Sequence, residues 1–256
     1  CHQWAFLGEL SLDGKLNPVK GVLPLILCLK TSGICHVVLP EPNLQEAALV
    51  EDISLYPAKN LQEAVDWIKG FQVAPTNIGT IKPNRIQDKN PPDFNEVAGH
   101  ENVKRALAIA AAGGHGVLMV GPPGSGKTML ASRLPSILPP MSYEEQIAVT
   151  QIYSVAGLLE ERMPMVLSRP FRSPHHTITR PALMGGGIKP GPGELSLAHF
   201  GVLFLDEVVH FDNGTLEALR QPLEEGKVTI TRRGGNITFP SKVILIAACN
   251  PCKCGY

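Results

Sequence analysis

Apolar and polar residues follow several distinct patterns along the first 70 residues. The segment Trp4–Leu12 alternates well enough to predict a strand, and the Asp-Gly pair after it predicts a turn. Residues Asn60–Lys69 place apolar side chains at helical spacing, and the glycine that follows is a typical helix C-cap. The apolar stretch Val19–Lys30 is compatible with either a helix or a buried strand. This part of the chain therefore indicates a small α/β unit.

The second part of the chain contains short, continuous apolar runs at Val117–Val120, Val202–Leu205 and Val243–Ala248. Such runs are typical of strands that a parallel sheet buries on both faces. Glu101–Ala112 has the pattern of a helix, whereas Pro164–Gly193 is so rich in Pro, Gly and His that we expect a long, loop-rich insertion. The pattern predicts an α/β fold with a parallel sheet.

The domain limits follow from a change in composition. We predict an N-terminal α/β domain over residues 1–71, a linker over 72–93 and a parallel-sheet core over 94–256. The linker is rich in Pro, Asn, Thr and Lys and lacks sustained periodicity. The sequence starts at Cys1 rather than at Met, and we therefore expect it to be a piece of a longer protein.

Composition narrows the classes of partner. Lys plus Arg equals Asp plus Glu, at 23 each, so any contact with nucleic acid must come from a local patch. The longest apolar stretch, Val22–Leu29, is far shorter than the ~20 residues of a membrane helix, so no membrane partner is expected. The six cysteines are unevenly distributed, which favours reduced thiols and a cytoplasmic location.

A phosphate-binding motif follows the first apolar run. Residues 121–128 match G-x-x-x-x-G-K-[ST] in full and lie between a predicted strand and a predicted helix. Glycines let backbone N–H groups turn toward phosphates, while the lysine reaches the β- and γ-phosphates and the Thr hydroxyl binds Mg²⁺. The predicted cofactors are therefore ATP and Mg²⁺. The predicted nucleotide-binding residues of this loop are Gly121, Pro122, Pro123, Gly124, Ser125, Gly126, Lys127 and Thr128.

Polar residues also follow the other two apolar runs. Asp206 and Glu207 come directly after one, at the sheet edge where α/β proteins bind ligands. We expect Asp206 to hold Mg²⁺ together with Thr128, and Glu207 to polarise the attacking water. Asn250 follows the last run and either hydrogen-bonds the γ-phosphate or the water, or simply begins a turn before Pro251.

Residues Glu225–Ser241 have the pattern of a β-hairpin, with Arg232 and Arg233 at or beside its tip. Two readings stay open for these arginines. They contact the phosphate backbone of DNA, or they are solvated charges that prevent edge-to-edge strand pairing.

Cysteines and histidines form two further candidate groups. Cys249, Cys252 and Cys254 have a spacing compatible with zinc, but zinc usually takes four ligands, so free thiols remain the favoured alternative. His175 and His176 are adjacent, and adjacent side chains of a strand point to opposite faces. We therefore expect them to be a poor chelating pair in a loop.

Taken together, residues 94–256 resemble the AAA+ ATPase module of the magnesium-chelatase-related proteins of the competence protein ComM (YifB) type. The resemblance implies Lys127 and Thr128 as nucleotide residues, Asp206 and Glu207 as the magnesium and catalytic acids, and Asn250 as the sensor of the γ-phosphate. It is carried by GPPGSGKTMLASRLPSILPP at 121–140, PFRSPHHT at 170–177, PGELSLAHFGVLFLDE at 192–207, LRQPLEE at 219–225 and NPCKCGY at 250–256.

The same resemblance implies a homo-oligomeric ring, expected to be a hexamer, with a helical lid and arginines beyond Tyr256. The N-terminal residues are similar to part of the proteolytic domain of Lon, a ribosomal S5-type α/β fold. Leu23 stands where that family has its catalytic lysine, and a leucine cannot activate a serine. We therefore expect a non-proteolytic module.

The function that the resemblance implies is an ATP-driven ring motor on DNA, a helicase or branch-migration factor in natural transformation and recombination. One alternative is a magnesium-chelatase-type motor subunit for metal insertion into a porphyrin, and another is an ATP-binding scaffold with little turnover. The N-terminal block favours the first, because the chelatase motor subunit starts directly with its ATPase module.

Overall fold

The computed structural model describes residues 4–70, 92–160, 163–187, 190–232 and 235–251. They divide into two compact units. The first holds the described residues before 87 together with 153–166, and the second holds the rest. Residues 153–166 were expected within the ATPase core. They group with the first unit because the Gly21 amide donates to the Ser154 carbonyl at 3.1 Å and Ser154 Oγ hydrogen-bonds the Glu46 carboxylate. The other domain limits stay predictions.

The first unit is built on a parallel three-stranded sheet in the order β1-β4-β5. The ambiguous stretch Val19–Lys30 forms helix α1, in which Leu23 and Ile26 are fully buried. The elements of this unit are β1 (Trp4–Phe6), β2 (Glu9–Leu10), β3 (Leu16–Asn17), α1 (Val22–Thr31), β4 (His36–Pro40), α2 (Leu44–Ala47), β5 (Ser54–Ala58) and α3 (Leu61–Lys69).

The second unit is built on a parallel four-stranded sheet in the order β6-β13-β10-β7. Its elements are α4 (Glu101–Gly113), β6 (Val117–Val120), α5 (Lys127–Arg133), α6 (Tyr143–Ala156, whose last turn is grouped with the first unit), β7 (Phe171–Arg172), α7 (Arg180–Met184), β8 (Gly185–Gly186), β9 (Gly191–Pro192), α8 (Glu194–Leu197), β10 (Val202–Leu205), α9 (Asn213–Glu225), β11 (Lys227–Arg232), β12 (Gly235–Pro240) and β13 (Ile244–Cys249).

Strand β10 shows why this sheet needs continuous apolar runs. Val202 and Phe204 face a core that includes Leu107 and Leu130, whereas Leu203 and Leu205 face a second core on the opposite side. Successive side chains of a strand point to opposite faces, so a strand covered on both sides buries every residue. The predicted α/β fold with a parallel sheet is confirmed.

The predicted hairpin also forms. Strands β11 and β12 pair antiparallel from Lys227↔Pro240 to Arg232↔Gly235. The cross-strand pair Val228 and Phe239 is buried at the base, while the strand residues nearer the tip are mostly exposed. The hairpin is therefore anchored at its base, and further along, β11 contacts β8 and packs Ile230 against the second core.

Candidate active site

The carboxyl edge of the second sheet brings together residues from three neighbouring strands. The loop 121–126 follows β6, Asp206 follows β10, and Asn250 follows β13, which lies between the other two. They line a cavity of about 400 Å³ that also includes Lys127 and Glu207. The sequence reasoning placed all of these residues at one edge, and the structure brings them together there.

The loop after β6 depends on glycine at two positions. Gly124 and Gly126 have φ values of 77° and 80°, in the left-handed region that L side chains rarely adopt. This conformation lets the chain reverse tightly between β6 and α5, where the Ser125 N–H donates to the Pro122 carbonyl at 3.3 Å. Loops of this kind form anion-binding concavities with their backbone N–H groups. The loop is open enough to border the cavity along most of its length.

Lys127 is the first residue of α5 and folds back over the loop. Its Nζ donates to the carbonyls of Gly121 at 2.7 Å and Pro122 at 3.0 Å, and to Oδ1 of Asn250 at 3.0 Å. The last contact joins residues 123 positions apart in the sequence. The ammonium group therefore lies at the centre of the edge, between the loop and the end of β13.

Thr128 and Asp206 form the second link across the edge. Thr128 Oγ1 donates to Asp206 Oδ2 at 2.7 Å. A hydroxyl and a carboxylate are the oxygen ligands that Mg²⁺ prefers, and Mg²⁺ usually takes few protein ligands beside substrate phosphates and water. The residues present therefore fit a Mg²⁺ ion accompanied by a phosphate group.

Glu207 has an unusual backbone for a residue with a long side chain. Its φ of 51° and ψ of 47° lie in the left-handed region, and its N–H donates to Asp206 Oδ1 at 2.9 Å. Non-glycine residues in this region are uncommon and cluster at functional sites. The side chain is half exposed, and its Oε2 lies 3.8 Å from Nδ1 of His176.

His175 and His176 lie in a loop, as expected, but no role toward Glu207 was predicted for either. Residues 176 and 177 form a turn, and the ring centroids of His175 and His176 lie 4.1 Å apart. The turn also carries His176 toward Glu207. The sequence singled out the histidine pair and the PFRSPHHT stretch, but no local pattern connects His176 with a residue 31 positions later.

The DNA and zinc candidates are placed only in part. Arg232 is exposed at the end of β11, whereas Arg233, Cys252 and Cys254 lie outside the described residues. Cys249 is a free, half-buried thiol at the end of β13. Within the described ranges, no three His, Cys, Asp or Glu side chains are arranged to hold a metal ion, so zinc is not supported.

None of the described helices combines the length and the apolar character that crossing a membrane would require.

Comparison with known proteins identifies the family. Residues 93–256 match the family model described as magnesium chelatase, subunit ChlI, and residues 1–43 match a second model, described as subunit ChlI of Mg-chelatase. The chain therefore belongs to the magnesium chelatase ChlI family.

Individual relatives agree with this assignment. Competence protein ComM of Haemophilus influenzae is 43% identical over 99% of this chain and 50% of its own length. An uncharacterized protein of Mycobacterium tuberculosis is 44% identical over 97% of the chain and 49% of its own length. The chain thus spans about half the length of the curated relatives that it matches.

A solved structure supports the fold. It is described as the complex between subunits BchI and BchD of magnesium chelatase. The similarity covers 64% of this chain and 56% of that one, with a TM-score of 0.51 and 23% sequence identity.

Proposed function

We propose that this chain carries the nucleotide site of an AAA+ ATPase that binds ATP with Mg²⁺ and hydrolyses it. The observation that carries the proposal is the convergence of Lys127, Thr128, Asp206 and Asn250 through two hydrogen-bonded links across one sheet edge. A phosphate-binding loop beside a carboxylate at the carboxyl ends of parallel strands is the arrangement that nucleoside triphosphates require.

Each residue has a distinct role in this proposal. The backbone N–H groups of loop 121–126 and the Lys127 ammonium bind the phosphates, and Thr128 and Asp206 hold the metal ion. Mg²⁺, when bound, neutralises negative charge on the phosphate oxygens. Asn250 exchanges its contact with Lys127 for a hydrogen bond to the γ-phosphate. Binding therefore replaces contacts that the side chains now make with one another.

Glu207 is the proposed general base. A water oxygen attacks the γ-phosphorus while the bond to the β–γ bridging oxygen breaks, leaving ADP and phosphate. The Glu207 carboxylate orients this water and accepts its proton. Such a base works through its position, because most of the catalysis of phosphoryl transfer is positioning and charge stabilisation.

The proposal extends to a DNA motor. Its support is the 43% identity to a protein named for competence and the hairpin, in which Arg232 is exposed near the tip. A homo-oligomeric ring, expected to be a cytoplasmic hexamer, would repeat this hairpin in every subunit and gather positive charge that one copy lacks. The N-terminal unit, with Leu23 buried, is proposed as a non-proteolytic module.

A second candidate function is a magnesium-chelatase-type motor. Both family models carry chelatase descriptions, and the nucleotide site would be the same in either case. The two functions differ in the substrate that stimulates ATP hydrolysis. A scaffold with little turnover is a third candidate, and its expected ATPase rate is close to zero.

The deciding experiment measures ATP hydrolysis by the full-length protein alone, with branched DNA, and with protoporphyrin and Mg²⁺. We expect stimulation by DNA. Stimulation only by protoporphyrin would support the chelatase candidate, and no hydrolysis under any condition would leave the scaffold. Glu207→Gln is expected to keep ATP binding and to abolish most hydrolysis, because an amide cannot accept the proton.

The hairpin is tested by the double variant Arg232→Ala with Arg233→Ala. Each lost phosphate contact should flatten the salt dependence of DNA affinity by about 0.7 to 0.9 in the log–log slope, whatever the DNA sequence. Lys227→Ala, at the exposed base of the same hairpin, is the matched control. If the slope of the double variant equals that of wild type, DNA binds elsewhere.

A further inference from the structure

The carboxylate of Glu207 has few restraints of its own. The side chain is about half exposed, at 49%. The left-handed backbone conformation fixes the origin of the side chain but not the orientation of its carboxylate. The described part of the chain gives this carboxylate one ion-pairing partner, Nδ1 of His176, at 3.8 Å from Oε2. A general base that must orient one water needs a restrained side chain, because small misplacements are costly in rate.

His176 is itself well supported by its surroundings. Its ring lies 4.1 Å from the ring of His175 and 5.7 Å from that of His210, and it meets Phe211 edge-on at 6.5 Å. Phe211 is almost completely buried. His210 and Phe211 follow Glu207 closely along the chain, so one short segment contains both the Glu207 carboxylate and two of the rings that contact the His176 imidazole.

The loop that carries His176 is fastened at both ends. At its start, Arg172 on β7 makes a bidentate ion pair with Glu194 on α8, with contacts of 2.6 and 2.7 Å. At its end, Thr179 caps α7 by accepting a hydrogen bond from the Ala182 amide. A planar guanidinium paired with a carboxylate in this way fixes orientation as well as distance. The imidazole is therefore held from outside the nucleotide cavity.

We propose that His176 is a positioning residue for Glu207. This inference rests on the proposed function of Glu207 as the base. His176 acts through the carboxylate and is not among the residues that line the nucleotide cavity. The separation of 3.8 Å is longer than a hydrogen bond, and contacts of catalytic groups are often long without substrate and tighten in the complex. A small rotation of the Glu207 side chain closes it.

The test compares kcat and KM for ATP in the full-length protein. His176→Ala should lower kcat by about ten- to a hundredfold, the range expected when a catalytic group is misplaced rather than removed. KM and the affinity for a fluorescent ATP analogue should stay unchanged, since the phosphate contacts are intact. His176→Asn places an N–H donor close to the position of Nδ1 and should recover much of the rate. His115→Ala is the matched control, because His115 is an exposed histidine of the same unit that lies just before β6, on the amino side of the sheet.

Two measurements keep the inference falsifiable. In a Glu207→Gln background, His176→Ala should have almost no further effect, since residues that act as a unit are non-additive. Thermal unfolding identifies a His176→Ala protein that merely folds poorly, in which case His176→Asn decides. Wild-type kcat in His176→Ala, faster hydrolysis, or a change confined to KM would overturn the inference. Absence of hydrolysis in the wild-type protein would instead overturn the proposed function, and the role of His176 with it.

Discussion

The two units of this chain each contain a parallel sheet, and their carboxyl edges differ sharply. In the second unit, the edge carries Lys127, Thr128, Asp206 and Asn250 around an open cavity. In the first unit, the corresponding edge carries a surface ion pair between Glu41 and Lys59, which follow β4 and β5, and the chain after β1 packs closely against apolar groups. A Cβ added to Gly8, just after β1, would meet Leu16 at 2.7 Å and Pro40 at 3.2 Å.

This comparison distinguishes the contribution of the parallel sheet from that of the residues at the strand ends. Parallel strands bring their ends to one edge in both units, and that edge is where ligands of α/β proteins bind. Only where the strand ends continue into a glycine loop and polar side chains does the edge acquire groups that can bind phosphate. The fold supplies position, and the residues at the strand ends supply chemistry.

The largest expected effect comes from removing the cation at the centre of the polar edge. Lys127→Ala should reduce ATP hydrolysis by at least about a hundredfold, the order found when one charge-stabilising donor is removed from an active site. It should also weaken ATP binding, because the Lys127 ammonium contacts both the loop and Asn250. Fluorescent-nucleotide titration and a phosphate-release assay measure the two effects.

The control for this variant is Lys104→Ala. Lys104 lies in the same unit but pairs with Glu101 on the surface of α4. Its removal should leave nucleotide affinity unchanged. Equal affinities for wild type and Lys127→Ala would contradict the proposed phosphate site. The two sheet edges would then differ in shape but not in their capacity to bind phosphate.

The second prediction concerns the core of the first unit. Leu23 is fully buried in α1, whereas Leu25 on the same helix is 43% exposed. Leu23→Ala should lower the free energy of unfolding by about 2 to 5 kcal/mol, because it leaves a cavity, while Leu25→Ala should cost well under half of that. Chemical denaturation followed by tryptophan fluorescence reports on this unit, since Trp4 and Trp67 both lie in it. Equal losses for the two variants would show that α1 packs differently.

The sequence predicted the polar edge well, for local reasons. The phosphate-loop motif is contiguous, and Asp206 and Asn250 each follow an apolar run whose short length favours a buried strand. Parallel pairing then brings the strand ends together without any further information. These residues needed no knowledge of long-range packing, which is why each one lines the cavity or contacts a residue that does.

The parts that sequence reasoning missed depend on tertiary contacts. His176 reaches Glu207 through a turn at 176–177 in the loop-rich insertion, and no spacing rule encodes that approach. Val19–Lys30 was ambiguous because it is apolar on nearly every side, so periodicity alone could not separate helix from strand. Residues 153–166 group with the first unit through Ser154 and Glu46, a contact between positions 108 apart.

The smallest of these effects concerns His199, which lies before β10 and therefore at the opposite, amino edge of the nucleotide sheet. Burial, together with the nearby Lys242 charge, lowers the pKa of His199 to about 4, while Glu145 opposes the shift. Its Nδ1 accepts a hydrogen bond from the Lys242 amide at 3.0 Å, which requires the neutral ring. The folded state therefore excludes a proton that the unfolded chain binds below its ordinary pKa of 6.5.

His199 makes the free energy of unfolding decrease as the pH falls. Above pH 7 both states are neutral and His199 makes no pH-dependent difference, whereas between pH 6.5 and 4 the unfolded state gains a proton and the free energy of unfolding falls. A shift of this size corresponds to at most about 3 kcal/mol. His199→Asn keeps an acceptor near Nδ1 but cannot titrate, so its stability should decline less over that range. His175→Asn, exposed in its loop, should follow the wild-type curve. Parallel curves for wild type and His199→Asn would place the acid sensitivity in other groups.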